Sequence, residues 1–129
     1  MIHYTHTTLT DNQLRLLERI RRCASQVRCY PRLDVFEACQ LISYDADILD
    51  SEATQMFLRT MPQAIGRRLV IYQSHTDALS WDERWIISLI ESVTRADYDS
   101  VYFMVNAVVQ KKYRREAMQI ASSMVKISA

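Results

Sequence analysis

Apolar residues recur at three- and four-residue spacing through most of this chain. The first series runs Leu16, Leu17, Ile20, Cys23, Ala24 and Val27, the mark of a helix with one face turned to a core. Thr10-Asp-Asn-Gln13 precedes it in capping-box form, in which two side chains satisfy free N–H groups at a helix start. This helix is expected over 11–29, stopping before Tyr30-Pro31 because the residue ahead of a proline disfavours α geometry. Its opposite face carries Arg15, Arg19, Arg22 and Gln26, with Arg21 and Arg28 flanking.

Further elements follow from the same pattern. Asp34 caps a helix of two or three turns bearing Val35, Phe36, Ala38, Cys39, Leu41 and Ile42, and Tyr44 to Asp50 reads as a linker. Asp50 or Ser51 is expected to cap a third helix with Ala53, Met56, Phe57 and Thr60 on its apolar side. Pro62 kinks it or opens a new turn, and Gly66 suits a left-handed helix end. Leu69-Val-Ile-Tyr72 is a lone β-like run, so it predicts an extended connector near 68–73 or an edge that pairs with another copy. Ser80-Trp-Asp-Glu83 is a second capping box, followed by Trp85, Ile86, Leu89, Ile90 and Val93 around more than half a helix circumference. Such a helix is expected at the centre, packed on two sides. After a turn at 96–99, Val101 to Val109 and Ala117 to Val125 predict two more helices, separated by Gln110-Lys-Lys-Tyr-Arg-Arg115. Polar, Thr-rich residues 1–9 read as a flexible arm. The pattern predicts an all-α fold: a single domain over 10–129, of five or six helices, with one short extended connector.

Composition narrows the function. At about 7% usage the 129 residues would hold roughly nine glycines; the chain has one, Gly66. That excludes the glycine-rich dinucleotide and phosphate loops and the G-x-S-x-G elbow. The hydrophobic share of 49% and charged share of 24% are those of an ordinary globule. No apolar run reaches the ~18 residues of a membrane span, and the N-terminal stretch lacks the form of a signal peptide. Cys23, Cys29 and Cys39 are odd in number and form no C-x-x-C pair, which suits reduced thiols in a cytoplasmic protein.

Candidate chemistry is sparse. His3, His6, Cys23 and Cys29 are zinc-ligand types, but six helical steps turn Cys29 about 240° from Cys23. Cys23 and Cys39 fall on apolar faces, where burial raises a thiol pKa and removes its reactivity. Asp45/Asp47 and Asp97/Asp99 read as turn caps, and His75 beside Asp77 as turn chemistry. The chain is therefore expected to be a non-enzyme without metal or cofactor; a small enzyme with a Cys/His or carboxylate site is the weakest alternative.

Charge is segregated along the chain: basic over 1–32, acidic over 33–65 and 81–110, basic again over 111–129. Internal pairing of basic end helices with acidic middle ones explains this, and so does a basic face for an anionic partner. The expected role is a regulatory or accessory protein that binds another protein, with homodimerisation through the 81–109 helices as one way to cover surplus apolar surface. The alternative is nucleic-acid binding through arginine-bearing helix faces, restrained by a sequence pI of only about 7.7. The candidate partner-binding residues are Arg15, Arg19, Arg22, Lys111, Lys112, Tyr113, Arg114 and Arg115, with Tyr113 available to stack on a base.

Overall fold

The computed structural model describes residues 4–5, 9–45 and 47–125. It places six α-helices in the order α1 (Asp11–Gln26), α2 (Val35–Tyr44), α3 (Asp50–Ile65), α4 (Trp81–Thr94), α5 (Tyr98–Val108) and α6 (Arg114–Ser123). A 3-10 turn, Lys111–Tyr113, leads into α6. Two short strands, β1 (Tyr4–Thr5) and β2 (Ala78–Leu79), pair antiparallel, Tyr4 opposite Leu79 and Thr5 opposite Ala78. The fold is all-α.

Local chemistry explains most boundaries. The Thr10 hydroxyl accepts the Gln13 N–H at 3.2 Å while the Gln13 amide oxygen accepts the Thr10 N–H at 2.8 Å, closing the box that opens α1. The Asp34 carboxylate accepts the N–H groups of Phe36 and Glu37 at 3.1 Å, which opens α2. Asp97 accepts from both the backbone and the hydroxyl of Ser100 and opens α5. Ala96 supplies the left-handed residue ahead of it, φ +56°, where a glycine is more usual.

Two expectations change. α1 ends at Gln26 rather than 29, because the chain already turns at Val27, closed by Tyr30 N–H to the Val27 carbonyl at 2.9 Å. Neither Asp50 nor Ser51 caps α3: the N-cap is Leu49, without a side-chain bond, and the Asp50 carboxylate lies 3.7 Å from Arg19 instead. The β-like run at 69–72 is a connector, as expected, with no ladder partner among the described residues. Within the 1–9 stretch Tyr4–Thr5 pairs with β2; residues 1–3 and 6–8 lie outside the described residues. Pro62 sits inside α3, which runs on to Ile65.

The core is one cluster. Leu17, Ile20, Phe57, Met61, Ile86, Ile87, Leu89, Ile120 and Met124 are almost fully enclosed. α3 packs against α1, α2 and α6, while α4 packs against α1, α5 and α6. α4 is buried along most of its circumference, as its dense apolar pattern requires. Trp85 lies 6.5 Å from the Phe57 ring and donates its indole N–H to the Met104 carbonyl at 3.1 Å, so the ring is enclosed without stranding its polar atom. No helix among the described residues is long and apolar enough to cross a membrane.

Gly66 ends α3 with φ +91°, its N–H bonded to the Pro62 carbonyl at 2.9 Å. A Cβ there would stand 2.7 Å from the Gln110 side-chain nitrogen, and Gln110 itself is tied by its N–H to the Ala64 carbonyl. The left-handed conformation favours glycine, and any Cβ would also displace the end of the exposed Gln110 side chain. Gly66→Val is expected to cost at least about 1–2 kcal/mol from the left-handed geometry alone, read as a lowered thermal midpoint; an unchanged midpoint would contradict this assignment.

Candidate functional site

Arg21 flanks the arginine stripe of α1 in the sequence pattern, yet it is 3% exposed. Its position four residues after Leu17 turns it toward the core. There its guanidinium meets Glu83, itself fully enclosed, at 2.7 Å and 3.1 Å. The remaining Arg21 donors reach the carbonyls of Thr76 and Ala78, each at 2.9 Å. Glu83 also accepts the N–H groups of Ser80 at 3.0 Å and Tyr72 at 3.2 Å. A buried ion pair survives desolvation when further hydrogen bonds complete it in this way.

The neighbouring acid works similarly. Asp82 takes a two-pronged contact from Arg67 at 2.9 Å and 2.7 Å and the Val70 N–H at 2.7 Å. Burial raises its carboxyl pKa, but the Arg67 and Val70 hydrogen bonds and the Arg67 charge outweigh that and hold it below the ordinary range. In an extended chain, N–H groups two residues apart point the same way. Those of Val70 and Tyr72 therefore both face α4 and bond to carboxylates rather than to a strand. The connector is fixed against the start of α4 by its backbone.

Held there, the connector forms one wall of a groove of about 1050 Å³, whose other walls are the end of α1, the Tyr30–Arg32 segment and α3. Arg28, Arg32, Arg59 and Arg68 line it, with Tyr30 and Tyr72 between them, and no acidic residue is among its described lining. The Arg59 guanidinium lies 5.5 Å above the Tyr30 ring and donates to the Pro31 carbonyl at 3.1 Å. None of these four arginines has an ion-pair partner among the described residues. The remaining cation in the lining, Arg21, is neutralised by Glu83.

The residues expected to bind a partner divide differently. Arg15, Arg19 and Arg22 do converge, on a groove of about 560 Å³ that also contains Glu18 and Asp50. Two acids thus offset three arginines, and Arg19 is paired with Asp50. Lys111, Lys112 and Arg115 are exposed at the opposite end of α6 from Met124 and Val125, which line that groove. About 15 Å of helix separates them, so the two basic ends do not form one face. Tyr113 is a correction: it is 6% exposed, packed 5.5 Å from the Phe36 ring with the Lys112 ammonium over it, and cannot receive a base. Arg114 donates to the carbonyls of Val109 and Asn106, satisfying the end of α5.

Sequence reading missed the larger groove because its cations come from three separated segments. One signal was present: Arg59 is the single basic residue in the acidic stretch 33–65.

The reactive groups stand apart. Cys39 is pushed up to about 11 by burial and the nearby Glu116 charge, and burial also raises Cys23 against the pull of Arg22 and Arg19. Both are thiols at neutral pH. Cys29 is exposed beyond the end of α1, and His3 and His6 lie outside the described residues. Among the described residues no His, Cys, Asp and Glu side chains cluster as a metal site. No family model, curated protein or solved structure matches the chain.

Arg21→Met removes one partner of the enclosed pair and leaves Glu83 uncompensated. It is expected to lower unfolding stability by about 3–5 kcal/mol in urea titration; a loss under about 1 kcal/mol would show that the pair does not hold the connector.

Proposed function

We propose that this chain is a non-enzymatic accessory protein of the cytoplasm that acts by binding a polyanionic macromolecule in the groove of Arg28, Arg32, Arg59 and Arg68. The observation that carries this reading is the absence of acidic residues from that groove's described lining, in a chain whose formal net charge is only +1. Net charge governs solubility and long-range steering, whereas a concave wall lined by one sign of charge focuses the local field. Four guanidinium groups also supply planar, paired donors that match phosphate and carboxylate oxygens.

Calorimetric titration with inorganic polyphosphate tests it. Binding is expected at low salt and should fall as salt screens the charges. Arg59→Gln and Arg68→Gln should each weaken it about 2- to 5-fold, in the range of exposed charge pairs, while Arg15→Gln and Arg22→Gln leave it unchanged. No binding at low salt, or dependence on Arg15 and Arg22 instead, would overturn the assignment.

A second reading, a protein partner, is favoured by α5. Its outer face leaves Tyr98, Tyr102 and Phe103 half or more exposed, Phe103 at 74%, and large exposed aromatics are enriched in protein interfaces. Because α4 is covered within the fold apart from its first residue, Trp81 at 55% exposed, α5 carries most of the apolar surface that the 81–109 region offers a second copy of this chain. Sedimentation equilibrium should then give a concentration-dependent dimer that Phe103→Ser abolishes; a monomer at every concentration would remove this reading.

A further inference from the structure

We propose that the ligand of the arginine groove is single-stranded nucleic acid, its phosphates held by Arg28, Arg32, Arg59 and Arg68 and its bases stacked on Tyr30 and Tyr72. This rests on the anion-binding reading and adds the class of partner. Cations alone would serve any polyanion. Here two tyrosines line the same groove as the arginines, and the more exposed, Tyr30 at 54%, already has the Arg59 guanidinium 5.5 Å from its ring centroid. Aromatic rings set among backbone-binding cations are the arrangement that grips unpaired bases, since every base offers a flat face whatever its sequence. An arginine plane is a second stacking surface of the same kind.

The shape argues in the same direction. Reading a duplex through its major groove needs a protruding helix or ribbon, whereas this surface is a channel between α1, α3 and the connector. At about 1050 Å³ it also sits at the upper limit of small-ligand pockets, with room for several groups of a chain rather than one compact molecule. An acidic peptide would engage the arginines but give the tyrosines nothing comparable to stack. A strand also accounts for arginine at all four positions, since its fork grips phosphate oxygens in pairs. Duplex reading and acidic-peptide capture therefore become outcomes of the test.

Fluorescence anisotropy with labelled oligothymidylate and oligouridylate of about 12 nucleotides, within the usual span of single-strand sites, decides it. A matching duplex, inorganic polyphosphate and polyglutamate serve as competitors across a salt series. The single strands are expected to bind most tightly, with log affinity falling against log salt at a slope near −3, since four phosphates each contribute about 0.7. Arg68→Gln should lower that slope by about 0.7. Tyr30→Ala and Tyr72→Ala should each cost the oligonucleotides roughly 5- to 150-fold, the range per stacked base, and leave polyphosphate binding unchanged. If Tyr72→Ala fails to fold, Tyr30→Ala decides alone, because its ring is exposed. Equal binding of polyphosphate and single strands, indifferent to the tyrosines, would overturn the nucleic-acid inference and keep the anion site. Tighter binding of duplex or polyglutamate would overturn it as well. No binding of any polyanion would remove both readings.

Discussion

The enclosed contact between Arg21 and Glu83 is the constraint on which the rest of the molecule hangs. It joins the middle of α1 to the first turn of α4, and both partners reach beyond each other to the same stretch of backbone. Arg21 holds the carbonyls of Thr76 and Ala78, while Glu83 holds the amides of Tyr72 and Ser80. The 66–80 segment has no helix of its own to bury and few ladder partners, so its backbone groups need other satisfaction. Two enclosed charges provide it. The same arrangement sets β2 in place for Tyr4–Thr5 and fixes the wall that carries Arg68 and Tyr72.

That constraint bears on the distribution of charge. The chain has nearly equal numbers of acids and bases, yet several acids are committed to contacts within the chain. Glu83 and Asp82 anchor the connector, and Asp50 meets Arg19. Asp34 caps α2, its pKa lowered chiefly by the Gln63 side chain and then by the Glu37 and Phe36 amides. Asp97 caps α5, lowered by the Ser100 hydroxyl and amide. Carboxylates placed at helix starts meet both free N–H groups and the positive end of the helix dipole. Arginines have no such sites at helix starts, so many remain at the surface, and the folding of three segments brings four of them to one groove. A balanced composition thereby gives a locally one-signed surface.

How much of this was legible in the sequence depended on whether the signal was local. The boxes at Thr10–Gln13 and Ser80–Glu83 and the cap at Asp34 declare themselves over four residues, and the structure realises each. Gly66 is equally legible, because a glycine just past a run of helical spacing suits a left-handed helix end, and Gly66 ends α3 at φ +91°. The fold class followed from spacing alone. Arg21 is the exception, since its neighbour Arg22 is a surface residue and a one-step rotation separates exposed from enclosed. Its burial needed a partner 62 positions away, which no window contains. Tyr113 was misread for the opposite reason: its basic neighbours suggested surface, while its own ring fills the gap against Phe36 between α2 and α6. The groove required three distant segments at once, so it emerged only from the fold.

A connector held by enclosed charges presents an arginine- and tyrosine-lined groove, which we propose as the working surface of this protein. Amide chemical-shift mapping by nuclear magnetic resonance, with an unlabelled oligothymidylate added to the full chain, tests it most directly. The account predicts perturbations concentrated at residues 28–32, around Arg59 and along 68–74, with α5 and the 111–115 segment unmoved. Perturbations centred on the outer face of α5 or on the Arg15–Arg22 surface, or none at saturating oligonucleotide, would contradict it.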